Sequence, residues 1–95
     1  MPAYWIAMLD VTDPEKYKAY PELAAQAIKK YGGRMMALGA AVEALEGEPP
    51  RSRYAMIEFD SVEQASACYH SPEYQKAAGA RKGAAEADFF IVNGA

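Results

Sequence analysis

Thirteen acidic against ten basic residues leave this 95-residue chain with a net charge of −3, and 52% of its residues are hydrophobic. That length holds one domain, residues 1–95, with a real core but much surface left over. The acidic balance, with basic residues scattered among acids, argues against a nucleic-acid partner. A single cysteine excludes an intrachain disulfide or a cysteine-built metal site and suits a reducing cytoplasm. No apolar run approaches the roughly 20 residues of a membrane span.

Residues 3–11, "AYWIAMLDV", predict the first strand. The stretch lacks the positive flank of a secretory leader. Asp13 and Pro14 then form an N-cap and a first helical residue, because the N–H that proline lacks would be unpaired there anyway. Tyr17, Tyr20, Ala24, Ile28 and Tyr31 recur at spacings of three and four, one face of a helix. Pro21 predicts a kink near Tyr20, or a restart with Pro21 in the new first turn. Lys29 and Lys30 suit the helix C-terminus, and Gly32-Gly33 ends it.

Residues 34–46 predict a second strand, with a bulge or bend at Gly39. "GEPPR" is a turn, and residues 53–59 predict a third strand. Asp60 or Ser61 caps the next helix, with Ser61 and Gln64 spaced as a capping box. Val62, Ala65, Ser66 and Tyr69 are its inner face. Ser71-Pro72 is a fresh cap and first-turn proline, so the helix breaks around His70 and Ser71 and restarts at Pro72. Tyr74, Ala77, Ala78 and Arg81 then share a face. Gly83 closes it, and residues 87–93 predict the fourth strand.

The order β-α-β-β-α-β predicts an α+β, ferredoxin-like fold: a four-stranded antiparallel sheet with helices on one face. An uncovered face should alternate with polar residues. Here both faces are mostly apolar: Trp5, Ala7 and Leu9 on one side of the first strand, Tyr4, Ile6 and Met8 on the other. At about 25 cal/mol per Å² of apolar area, leaving such a face wet forgoes many kcal/mol. A homodimer through the sheet face is the expected remedy.

The combination of "AYWIA…DP…Y", "YGGR", "EALEGEPPR", "IEF" and "YHSPEYQ…R" resembles the domain-of-unknown-function family thirteen-thirty, over almost the whole chain. The resemblance implies membership of the dimeric α+β-barrel superfamily, whose sheets pair into a barrel and whose pockets lie between helices and sheet. Members of that superfamily include cofactor-free monooxygenases of quinol-like aromatics, muconolactone isomerases and haem-handling proteins. None of these activities transfers with the fold.

Each candidate residue carries a functional and a structural reading. His70, the only histidine, is a general base or a metal or haem ligand in one, and a residue of a helix junction in the other. No second histidine or ligand-spaced cluster supports a metal. Ser71 orients a ligand or simply caps its helix. Tyr74 and Arg81, two turns apart, join Tyr17 and Tyr20 around a pocket where rings stack on a ligand and Arg81 pairs with its carboxylate or enolate. The alternative is a core stripe whose arginine meets Asp88 or Glu58. Glu58, an acid in an apolar strand, moves a proton or pairs across the dimer with Arg34 or Arg53 in a buried pair. Cys68 reads as a buried structural thiol, and Met35-Met36 as core or interface filling.

The reading as a whole is a cytoplasmic homodimer with a small-molecule pocket per subunit. Tyr17, Ser71, Tyr74 and Arg81 bind an aromatic or carboxylated metabolite, and His70 or Glu58 moves protons in monooxygenase- or isomerase-like chemistry that needs no cofactor. The alternatives are a non-catalytic structural or ligand-sensing dimer and, more remotely, a haem-handling protein.

Overall fold

A computed structural model describes residues 1–39 and 42–95. The strands are β1 (Ala3–Val11), β2 (Arg34–Gly39), β3 (Arg53–Phe59) and β4 (Ala85–Asn93). The helices are α1 (Pro14–Tyr17), α2 (Tyr20–Lys30), α3 (Val62–His70) and α4 (Pro72–Arg81). The sheet order is β2-β3-β1-β4, antiparallel throughout, which is the ferredoxin-like topology. Cα extents of 33 × 31 × 15 Å describe a slab of two layers, one sheet and one tier of helices. No helix among the described residues is long and apolar enough to cross a membrane.

Local chemistry sets the helix boundaries. Asp13 Oδ1 accepts from Lys16 N (3.2 Å) and Pro14 opens α1. The chain loses helical form at Lys18 and Ala19, and α2 restarts with Pro21 in its first turn. Ser61 Oγ accepts from Gln64 N (3.1 Å), but the Gln64 amide turns to Tyr31 O (2.6 Å), so the capping box is half made and its other arm ties α3 to the end of α2. Ser71 serves two helices. Its hydroxyl donates to Cys68 O (2.7 Å) at the end of α3 and accepts from Tyr74 N (3.1 Å) at the start of α4, in an extended backbone (φ −70°, ψ 152°) that proline demands of its predecessor.

The second strand ends at Gly39 rather than near residue 46. Gly39 already pairs with Tyr54, and β3 begins at Arg53, so a longer β2 has no partner. Residues 42–46 are not strand, and Ala40 and Ala41 fall outside the described residues. The register shift lies between Met35 and Ala37, while Gly39 closes the strand at φ 150°. β4 starts two residues before the expected Ala87. Gly33 is required by space: a Cβ there would stand 2.6 Å from Ile28 Cγ2 and 2.7 Å from Phe59 Cζ.

Trp5, Ala7, Leu9, Ile57 and Phe59 face the helices and form the core with Tyr20, Ala24, Ile28, Tyr74 and Ala78. Ala65 and Cys68 are the buried residues of α3, and Val62, Ser66 and Tyr69 are half-buried. The opposite face is bare. Met56, Ile6 and Phe90 lie side by side across it, flanked by the rows Tyr54–Met8–Asp88 and Glu58–Tyr4–Val92. Met56, Phe90 and Val92 are 39–45% exposed.

Ion pairs border this apolar centre. At one end Arg34 bridges Glu58 and Asp60, each at 3.0 Å. At the other, Arg51 reaches Asp10, Glu86 and Asp88, each at 3.1 Å, and its backbone N–H donates to the Tyr54 hydroxyl. The segment after the two prolines is thereby fastened to β1 and β4. Ser52 and Arg51 hold the Asp10 carboxyl below the usual range.

Candidate functional site

A cavity of about 420 Å³ lies between α1–α2 and the sheet. It exists because alanines stand where larger side chains would fill the space. Leu38, Ala55, Ala7 and Phe89 are neighbours across the four strands, and the two central positions carry only methyl groups. Ala24 and Ala25 face them from α2, Tyr17 and Tyr20 close one end, and Met35, Leu38 and Arg53 stand at the β2–β3 side. Among the described residues, no aspartate, glutamate or lysine lines it. Its charged lining residue is Arg53, whose guanidinium carbon sits 5.8 Å from the centre of the Tyr17 ring.

Behind this wall is a buried polar cluster. One hydroxyl of Tyr20 and Tyr74 donates to the other at 2.6 Å, and the rings meet edge to face at 6.3 Å. Tyr17 leans on Tyr20 at 5.4 Å. Arg81, 8% exposed, lays its guanidinium 4.4 Å over Phe89 and 5.5 Å from the Tyr20 centroid. Among the described residues no carboxylate pairs with it, and its Nε has no hydrogen-bond partner. Aromatic faces therefore stand in for a counter-ion.

Burial raises the pKa of the Tyr17, Tyr20 and Tyr74 phenols above the ordinary 10.0. Because the folded values exceed the unfolded one, their contribution to stability is complete below about pH 10 and is lost as pH rises through the folded values. An ultraviolet phenolate titration should show these three of the seven tyrosines ionising only as the fold is lost, together with a fall in helical circular dichroism. Three normal, reversible ionisations in the folded protein would contradict the burial.

The sequence-derived candidates separate into three places. Tyr17 lines the cavity, while Tyr74 and Arg81 back its Tyr20–Phe89 wall without lining it. Ser71 is 4% exposed, with its hydroxyl committed to the two helix ends. His70 lies exposed beside Tyr69, with ring centres 5.2 Å apart, under neither α1 nor α2. Glu58 is on the bare sheet face, paired with Arg34 of the same chain. Asp88 is held by Arg51, so neither acid reaches Arg81. Cys68 is fully buried, its thiol pushed up to about 11, mainly by burial, as suits a structural residue.

Arg53, Leu38 and the alanine floor were not foreseen as a site. Arg53 shares the phase of Ala55, Ile57 and Phe59, a signal that places it on the helix side of β3. The β2 irregularity hides the same signal for Leu38.

The four-stranded antiparallel sheet under a tier of helices, with a cavity between the layers, defines a ferredoxin-like α+β protein. Residues 2–95 match the model of the family described as Domain of unknown function (DUF1330), and the chain belongs to that family. A protein of unknown function from Rhodopseudomonas palustris superposes with TM-score 0.73 at 18% identity, covering 99% of this chain and 82% of the other. SnoaB, a cofactor-independent oxygenase from Streptomyces nogalater, gives 0.68 at 10% identity, covering 99% and 93%. A dimeric protein of unknown function and ferredoxin-like fold from Bacteroides fragilis gives 0.60 at 14% identity, covering 98% and 96%. No curated protein matches the sequence at a significant level.

Proposed function

We propose that the chain is a single domain that pairs with a second copy through its bare sheet face and binds a small aromatic or carboxylated molecule in the alanine-floored cavity of each subunit. The observation that carries the binding site is its chemistry: an apolar, ring-walled space with Arg53 in its lining, Arg81 behind its aromatic wall, and no acid. A carboxylate or enolate attached to a ring meets favourable charge and apolar contact there. Tyr17 and Tyr20 offer ring faces and hydroxyls; Tyr74 and Arg81 fix Tyr20.

The oxygenase among the fold's relatives makes oxygenation or isomerisation of a ring acid the first chemistry to assay. A second reading, ligand sensing without turnover, draws support from the lining itself. Its ionisable groups are arginine and tyrosine, and the Tyr17 and Tyr20 phenols are driven away from neutrality, whereas a general base works best with a pKa near ambient pH. His70 and Glu58 stand elsewhere, so the proposal assigns no proton transfer to them in this cavity.

Thermal-shift titration with benzoate and with neutral benzyl alcohol tests the site. Benzoate should raise the melting temperature of the wild type more than the alcohol does. Arg53→Ala should weaken benzoate by about tenfold, the loss of one charged contact, and leave the alcohol unchanged. Ala55→Leu should abolish the benzoate response. Equal responses to the two probes in wild type and Arg53→Ala would sink the reading.

A further inference from the structure

A second cavity, of about 280 Å³, lies on the other side of Trp5 and Phe89, bounded by α3 and the edge strand β4. It shares only those two residues with the first. Tyr69 and Phe89 both stand edge-on to the Trp5 indole, at 5.8 Å and 61° and at 6.0 Å and 71°, so the walls form an aromatic recess. Ile91 adds an aliphatic surface. Ser66 and His70, one helical turn apart on α3, bring a hydroxyl and an imidazole to the lining. Among the described residues its lining has no arginine, unlike that of the first cavity, and no acid or lysine.

Trp5 is 2% exposed, and its indole N–H is enclosed with no hydrogen-bond partner among the described residues, so the recess takes the carbon surface of the ring rather than this donor. Size narrows the occupant. An apolar protein cavity of about 150 Å³ is enough to hold benzene, so this one holds a single substituted ring. We propose that the recess is a second binding site, taking a small neutral phenol whose ring lies among Trp5, Tyr69 and Phe89 and whose hydroxyl bonds to His70 or Ser66. This site stands independently of the reading of the first cavity.

Because the chain has one tryptophan, the ¹⁵N-labelled protein gives one indole N–H signal, a direct reporter for a phenol titration. Phenol should move that signal saturably in the wild type and in Ala55→Leu, which fills only the first cavity. Adding Ser66→Phe, which fills the second, to Ala55→Leu should abolish the shift. Of His70→Ala, which alters an exposed side chain, and Ser66→Ala, the one that removes the phenol's partner should weaken phenol roughly fivefold, the loss of one hydrogen bond, while toluene binds as before. If Ser66→Phe does not fold, the phenol-to-toluene ratio in His70→Ala and Ser66→Ala decides, and a ratio unchanged in both overturns the proposal. It is equally overturned by an unmoved indole signal at saturating phenol, or by loss of the shift in Ala55→Leu.

Discussion

Met56→Asp is expected to turn a dimer into a monomer. Met56 sits beside Ile6 in the central row of the bare face, 39% exposed in the single chain, so the substitution leaves the core alone. In a face-to-face pair the new carboxylate is buried without a partner, at a cost of about 3 kcal/mol or more, which is a dissociation constant raised by about a hundredfold or more. Sedimentation at micromolar concentration reads this directly, and unchanged circular dichroism shows that the fold survived. A sheet four strands wide and seven residues long offers roughly 450 Å², short of the about 800 Å² per partner of a standard interface. Val42 and Leu45, 49% and 86% exposed in the β2–β3 connection, are available to supply the remainder. Wild-type protein that sediments as a monomer would end the dimer proposal.

Tyr74→Ala should lower stability by about 3–5 kcal/mol, the range for removing a large buried ring. In a chain this small that moves the melting temperature by more than about 12 °C. Tyr74 is fully buried, packs edge-on against Trp5 at 4.9 Å, and holds the Tyr20 hydroxyl. Tyr74→Phe keeps the ring and strands that hydroxyl, so about 1–3 kcal/mol is expected. Chemical denaturation of the two variants separates the ring from the hydrogen bond. Equal losses would show that the hydroxyl pair, and not packing, dominates.

The elements most legible in the sequence are those with local causes. Asp13-Pro14, Ser61 and Ser71-Pro72 mark helix starts because caps and prolines act within a turn of themselves. Strands β1 and β3 show their inward residues because alternation is intrinsic to the pleat. The length of β2 was not legible, because it is set by where its partner β3 begins, a fact of pairing rather than of composition. The candidate site was legible only in part. The α4 stripe does bring Tyr74 and Arg81 toward Tyr17 and Tyr20, but which of them touches open space depends on Phe89, fifteen residues past Tyr74, lying between Arg81 and the cavity. Two alanines on neighbouring strands make the floor, and a missing side chain leaves no signal until the register Ala7–Ala55 is known.

The arginine clasps at the two ends of the bare sheet face have an electrostatic consequence for assembly. One guanidinium answers three carboxylates at one end and another answers two at the other, so both margins keep an excess of negative charge. In the proposed pair, two such faces would adhere at their greasy centre and repel along their borders. Association of this kind is driven by water leaving the middle rows and is opposed by Coulomb forces, so dissolved salt favours it and dilution into pure buffer loosens it.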